Sequence, residues 1–147
     1  MTANHSPVLQ LLWRGDFTDP ELTALHAAAF GSGATAADPA AVAPVPWRAR
    51  VERHSLGWVC ARPAPDGPLL GFVNVAWDGG THAFLLDTAV SPAAHRRGIG
   101  TRLVAAAADG ARAAGCDWLH VDFEPHLRAY YLDACGFRGT DAGLLAL

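Results

Sequence analysis

Seven residues, His95-Arg96-Arg97-Gly98-Ile99-Gly100-Thr101, constrain this chain more than any other stretch. They lie between an apolar run ending at Val90 and an alanine-rich segment that begins at Ile99. The order is strand, short loop with two arginines and two glycines, then helix. Glycine admits backbone conformations that a Cβ forbids and lets the main chain come close to a ligand. The first turn of a helix carries N–H groups with no intrahelical partner, and its dipole favours an anion. Arg96 and Arg97 add charge-assisted donors at the same point. The pattern predicts a pyrophosphate cradle. A lone Gly-x-Gly is weak evidence, and a solvated turn with arginines serving solubility explains it as well. The flanking segments decide between the two.

At 147 residues and 15.4 kDa the chain has the length of one domain, spanning 1–147. A hydrophobic fraction of 51% is ample for a single core. The formal charge of -3 and a pI near 6.1 argue against a protein that coats nucleic acid or an anionic membrane. All 11 basic residues are arginines, which reads as a compositional bias rather than chemistry. Cys60, Cys116 and Cys135 share no C-x-x-C spacing, so structural disulfides are not expected and a reducing cytosol fits. The N-terminus lacks the basic start and long apolar run of a signal peptide. The apolar stretch Leu103 to Ala108 is too short to span a bilayer. The expectation is a soluble cytoplasmic protein.

Along the chain, Val8 to Trp13 reads as a strand. Asp19-Pro20-Glu21 reads as a helix start with Asp19 as the capping carboxylate, and Gly31 ends that helix. Residues 31 to 45 look like a mobile loop, and Pro46-Trp47 opens a short helix. Strands are expected over Trp58 to Arg62, Leu69 to Trp77 and Thr81 to Val90, with Asp78-Gly79-Gly80 as a hairpin turn. A helix over Ile99 to Ala114 places Ile99, Leu103, Ala106 and Gly110 on one face, and Gly115 stops it. A strand over Asp117 to Phe123, a helix from Pro125 and a last strand over Leu144 to Leu147 complete an α/β sandwich of mixed sheet and flanking helices. On the helix from Pro125, Leu127, Tyr130, Tyr131 and Ala134 share a face.

These residues resemble the GNAT superfamily of acyl-CoA N-acyltransferases, whose acyl-CoA loop reads Gln/Arg-x-x-Gly-x-Gly/Ala between the fourth strand and third helix. Here that loop is His95 to Gly100, preceded by Thr88-Ala89-Val90-Ser91-Pro92. The strand Leu119 to Phe123, the helix after it and the ending Cys135-Gly136-Phe137 are similar to the family's second motif. The match covers roughly residues 84 to 137. It implies a central, mostly antiparallel mixed sheet with flanking helices and splayed fourth and fifth strands. It also implies acetyl-CoA as acyl donor and no metal, with Thr88, Ala89, Val90, His95, Arg96, Arg97, Gly98, Ile99, Gly100 and Thr101 around the donor. His95 departs from the family's Gln or Arg. The tyrosine that protonates the leaving thiolate in family members usually sits where this chain has Leu132. Tyr131 comes one residue earlier, about 100° away on an α-helix. Tyr131 or water is then the proton source, with packing the alternative role for Tyr130 and Tyr131.

Acyl transfer to an amine requires an anchored donor, a polarised carbonyl, a neutral amine and a protonated leaving group. The backbone near Ala89 and Val90 is implied to hold the pantetheine arm, and an N–H there to polarise the thioester. For the general base, strand alternation sets Asp87 opposite Leu86 and away from the face that Phe84 shares. Glu124, at the mouth of the next strand, is the better-placed carboxylate, with His120 beside the cleft and solvent relay as a third option. Buried packing is expected of the three cysteines, and Cys135 at a helix end is a poor site for a thiolate. His82, His120 and His126 lack the spacing of a metal site. Trp47 and Trp77 are candidates for the floor of an acceptor pocket; Trp13, Trp58 and Trp118 are read as core.

The leading reading is an N-acetyltransferase that acts on a primary amine of a small molecule or peptide by direct attack in a ternary complex. The alternative is a non-catalytic acyl-CoA-binding module. An RNA-directed toxin fits poorly with the acidic balance. The expected partners are an amine acceptor and, as an option, a second copy of the chain in a homodimer, with neither nucleic acid nor membrane.

Overall fold

The computed structural model describes residues 8–31 and 43–147. Its elements run β1 (Gln10–Trp13), α1 (Asp19–Phe30), α2 (Trp47–His54), β2 (Ser55–Arg62), β3 (Gly71–Trp77), β4 (His82–Val90), α3 (Ile99–Ala113) and β5 (Trp118–His120). The five strands lie in sequence order in one sheet. Neighbours are antiparallel except β4 and β5, which run parallel. The expected mixed sheet with flanking helices is therefore present. Among the described residues no helix is long and apolar enough to cross a membrane.

Strand alternation sends each strand's apolar residues to two opposite cores. Val59, Ala61, Val73, Val75, Ala83 and Leu85 meet Ile99, Leu103, Val104, Ala107 and Ala111 of α3 on one face. Trp58, Cys60, Phe72 and Ala89 meet Leu22 and Leu25 of α1 and Trp47 and Val51 of α2 on the other. The apolar face of α3 thus runs through Val104, Ala107 and Ala111, while Ala106 and Gly110 sit at its edge. Gly110 has its own reason: the ring of Trp13 fills the space a Cβ would need there and at Gly57. Trp13 is accordingly a half-exposed strap across two glycines rather than a core residue.

At α1 the cap is Thr18, not Asp19: its hydroxyl accepts from Glu21 N while the Glu21 carboxylate accepts from Thr18 N. Asp19 is left to accept from Arg48 N (2.8 Å) and so ties α1 to α2. The Asp78-Gly79-Gly80 turn forms as expected, with Gly79 at φ +83°. The loop expectation for residues 31 to 45 falls mostly outside the described residues.

The end of the chain departs most from expectation. Only Trp118–His120 pairs as β5, and residues 121–124 belong to no strand. The segment from Pro125 is not one α-helix. It begins as a 3-10 turn (Pro125–Leu127) and ends as a π-helical turn (Tyr130–Ala134), in which Cys135 N donates to Tyr130 O (3.0 Å). Leu144 to Leu147 form no strand, and Leu144, Leu145 and Leu147 are exposed. Trp118 is 53% exposed beneath the Arg138 guanidinium, so it too is not core.

Candidate functional site

The β4–β5 ladder consists of three partners, His82↔Trp118, Ala83↔Leu119 and Phe84↔His120. Beyond Phe84, β4 continues six residues to Val90 with β3 alone beside it. The two strands part there, which is the expected splay. A strand edge whose N–H and C=O groups face a cleft is a ready partner for an extended amide-bearing chain.

Past the end of β4, a 3-10 turn (Pro92–Ala94) buries Ala94 and leads into the glycine loop. The His95 imidazole comes back to the strand, with Nε2 3.2 Å from Val90 O. This contact fastens the loop to the strand end, a task open to the residue in place of Gln or Arg. Arg96 and Gly98 both take positive φ, +66° and +69°. Gly98 is the N-cap of α3 and has no side chain to satisfy the helix. The first helical bond runs from Arg102 N to Gly98 O (3.2 Å), so the N–H groups of Ile99, Gly100 and Thr101 have no partner within the helix. A Cβ on Gly98 would meet nothing within 4 Å, so the space beside it is open. Arg96 and Arg97 are exposed and, among the described residues, pair with no carboxylate. Ile99 is buried in the α3 core and offers the loop only its backbone. Ala89 is likewise buried on the opposite face.

On the α3 side of the splay stands Tyr131, 6% exposed, stacked on Phe123 and meeting Phe137 edge-to-face. Burial raises the pKa of its phenol, and the neighbouring Thr88 side chain acts in the opposite sense. Leu132 turns outward, into a shallow groove with Pro125, His126, Arg128, Ala129 and Asp133. The π-helical turn explains the reversal. A π turn holds one residue more than an α turn, and it takes up the extra residue between Tyr131 and Gly136. Tyr131 therefore turns inward, towards the Thr88 side chain of β4, although it lies one position early in sequence. Tyr130 packs its hydroxyl against Gly100, in the first turn of α3, and that oxygen is buried without a hydrogen-bond partner.

Strand β4 carries a bulge. Asn74 pairs with Leu86 and Phe72 with Ala89, so Asp87 and Thr88 together oppose Val73. Asp87 takes φ +56°, a rare state for a residue with a Cβ. The bulge overturns the alternation expected at Asp87. Its carboxylate lies on the α1 side, with Oδ1 3.2 Å from His26 Nε2 and Oδ2 accepting from Asn74 Nδ2 (3.4 Å). Phe84 and Leu86 project to the same face, opposite the inward Ala83 and Leu85. Burial raises the Asp87 carboxyl, but the His26 and Asn74 hydrogen bonds, with the His26 and Arg50 charges, hold it below its ordinary value.

The remaining candidates are spread out. Glu124 is exposed, caps the 3-10 turn through its backbone (Leu127 N to Glu124 O, 2.9 Å) and has no side-chain partner among the described residues. His120 stacks on Phe84, and its Nε2 is 2.7 Å from His82 Nδ1. His126 lies apart, and among the described residues no three His, Cys, Asp or Glu side chains converge as a metal site. Cys60 is buried, which pushes its thiol up to about 12; Cys135 is half-buried and raised for the same reason. Trp47 is buried against His26 and Phe72, whereas Trp77 is half-exposed and donates to Gly80 O (2.8 Å). His26, on α1, carried no motif in the sequence; only its pairing with a bulged strand exposes it.

Set beside known proteins, residues 10–137 match the family model described as the Acetyltransferase (GNAT) family. The chain belongs to that family. No curated protein matches it in sequence. Solved structures do match in fold. A GNAT-family acetyltransferase of Streptococcus pneumoniae is 16% identical, with 95% of this chain and 98% of that one covered at a TM-score of 0.69. The structure of AAC(6')-Iy with a bisubstrate analogue joining CoA to an acetylneamine is 18% identical, with 95% and 97% covered and a TM-score of 0.68. Glucosamine-6-phosphate N-acetyltransferase of Arabidopsis thaliana is 12% identical, with 94% and 98% covered and a TM-score of 0.66.

Proposed function

We propose that this protein transfers the acetyl group of acetyl-CoA to a primary amine of a small molecule or peptide, by direct attack in a ternary complex. The observation that carries the reading is the junction of β4 and α3. An αL glycine cap, free first-turn N–H groups and two unpaired arginines stand at the mouth of a cleft one strand deep. That combination suits a pyrophosphate at the loop and an amide-bearing arm along the free edge of β4. Thr88, Ala89 and Val90 border the arm; His95 to Thr101 surround the phosphates.

In this reading Tyr131 donates a proton to the departing sulfur. Its raised pKa keeps the phenol protonated at neutral pH. Removing the amine's proton falls to a carboxylate or imidazole beside the bulge, and Glu124 is the candidate legible in the sequence. The amino sugars of the similar structures set the first acceptors to try. The experiment is a thermal-shift titration with acetyl-CoA followed by acetyl transfer to aminoglycosides, amino sugar phosphates, polyamines and peptides with free N-termini. Stabilisation with turnover of at least one amine is expected. Stabilisation without turnover assigns a binding module, and neither effect removes the reading.

A further inference from the structure

The bulge gives β4 two consecutive residues that look to opposite sides of the sheet. Thr88 approaches Tyr131 on the α3 side, and Asp87 reaches His26 on the α1 side. Asp87 holds an αL backbone at φ +56°, a conformation that aspartate admits better than most side chains and that its surroundings keep in place. Here a polar chain enforces it. Ser55 Oγ donates to Asn74 Oδ1 (2.5 Å), Asn74 Nδ2 donates to Asp87 Oδ2, and Asp87 Oδ1 faces His26 Nε2. His26 is also fixed by rings, 4.5 Å from Phe30 and 4.9 Å from Trp47. The side chains of His26 and Asp87 are 30% and 27% exposed, so the pair is shielded without being sealed. Beside it the indole N–H of Trp47 is buried with no acceptor.

We propose that His26, oriented by Asp87, is the proton acceptor for the incoming amine. This inference rests on the acetyltransferase reading and deepens it. The Asp87 carboxylate selects the tautomer with hydrogen on Nε2, which leaves the lone pair on Nδ1. Nδ1 takes one proton from the ammonium form of the acceptor, giving a neutral amine and an imidazolium stabilised by the Asp87 charge. The amine nitrogen then attacks the thioester carbon, and the carbon–sulfur bond breaks as the Tyr131 phenol gives its proton to the sulfur, which leaves as thiol. The new amide nitrogen sheds its second proton through solvent, and that proton restores the phenol. The imidazolium returns its proton to water. Phe84 and Leu86, 39% and 46% exposed on the same face, supply an apolar border for the acceptor's carbon chain. The charged groups facing the imidazole are Asp87 from β4 and Arg50 from α2, whose guanidinium lies over Trp47 and whose charge reaches Asp87.

The test is the pH dependence of kcat/KM for whichever amine of the panel the wild type acetylates. His26→Gln is expected to lower kcat/KM roughly 10²-fold or more and to abolish the wild-type acid limb. Asp87→Asn is expected to move that limb to lower pH, because the imidazolium loses its anionic partner. A role in packing alone lowers the melting temperature and leaves the limb in place. If His26→Gln does not fold, the Asp87→Asn limb decides, and an unmoved limb overturns the proposal. A His26→Gln enzyme within threefold of wild type with the same limb overturns it, as does a loss confined to Glu124→Gln. A wild type that binds acetyl-CoA yet acetylates no amine removes the acetyltransferase reading and this inference together, a result distinct from the others because it precedes any variant.

Discussion

Gly98 shows what one residue contributes to this site. Its φ of +69° sets the direction of α3, and the open space beside it is where an anion meets the free N–H groups. Aspartate tolerates the αL region better than most side chains, so Gly98→Asp should fold while placing a carboxylate in the cradle. Loss of acetyl-CoA binding in calorimetry is expected, with the melting temperature largely kept; unchanged affinity would refute the cradle. Arg96→Ala and Arg97→Ala should raise the KM for acetyl-CoA with kcat nearly intact, since each removes a charge-assisted bond of roughly 1.5–3 kcal/mol. A fall in kcat at saturating donor would contradict that division of labour. For the tyrosines, Tyr131→Phe keeps the ring between Phe123 and Phe137 and removes only the proton. It should slow turnover roughly 10²-fold or more, whereas Tyr130→Phe removes a buried hydroxyl without a partner and should leave the folded protein as stable or more so. Equal turnover in wild type and Tyr131→Phe would make water the proton source.

At the scale of elements, short-range chemistry was legible and long-range pairing was not. The α3 start, the hairpin glycines and the helix stop at Gly115 are written in local residue types, and each is where the sequence reading put it. The bulge at Asp87 was hidden because alternation is the default of a strand, and only the register against β3 reveals the extra residue. The π-helical turn was hidden for a similar reason: helix-compatible residues do not declare whether a turn closes at the fourth or fifth residue. Local residue types therefore bring out Tyr131, whereas the face of Asp87 and its contact with His26 follow only from the register of β4 against β3. The tie between α1 and β2 makes a separate prediction. Arg62 donates to both carboxylate oxygens of Glu21 and to Gly67 O and Asp16 O. The Arg62 hydrogen bonds, against the effect of burial, hold the Glu21 carboxyl below its ordinary value of 4.5. A depressed carboxyl contributes stability above its unfolded pKa and loses it as pH falls through the folded one. Urea midpoints should therefore drop less between pH 6 and pH 3 for Glu21→Gln than for wild type. An equal drop would show the pair to be energetically idle.

Across the whole molecule, the sheet changes its membership from one end to the other. β2 to β5 pair at the level of Phe84, and β1 to β4 at the level of Val90, where β5 has left the edge of β4. Amide hydrogens on the open edge of β4, in residues 85–90, should exchange more slowly once acetyl-CoA is added, while those of β2 and β3 stay unchanged. Protection spread evenly over the sheet would indicate global stabilisation instead. The open edge also has a consequence for the life of the protein in a crowded solution. An unpaired strand edge with exposed Phe84 and Leu86 beside it is the kind of surface on which one copy of a protein can template another. A small molecule lying along that edge acts as a chaperone in the literal sense, by occupying the groups another chain would seek. Colloidal lifetime should then follow the supply of acetyl-CoA, so that a preparation depleted of it clouds sooner, and at lower concentration, than one stored with it.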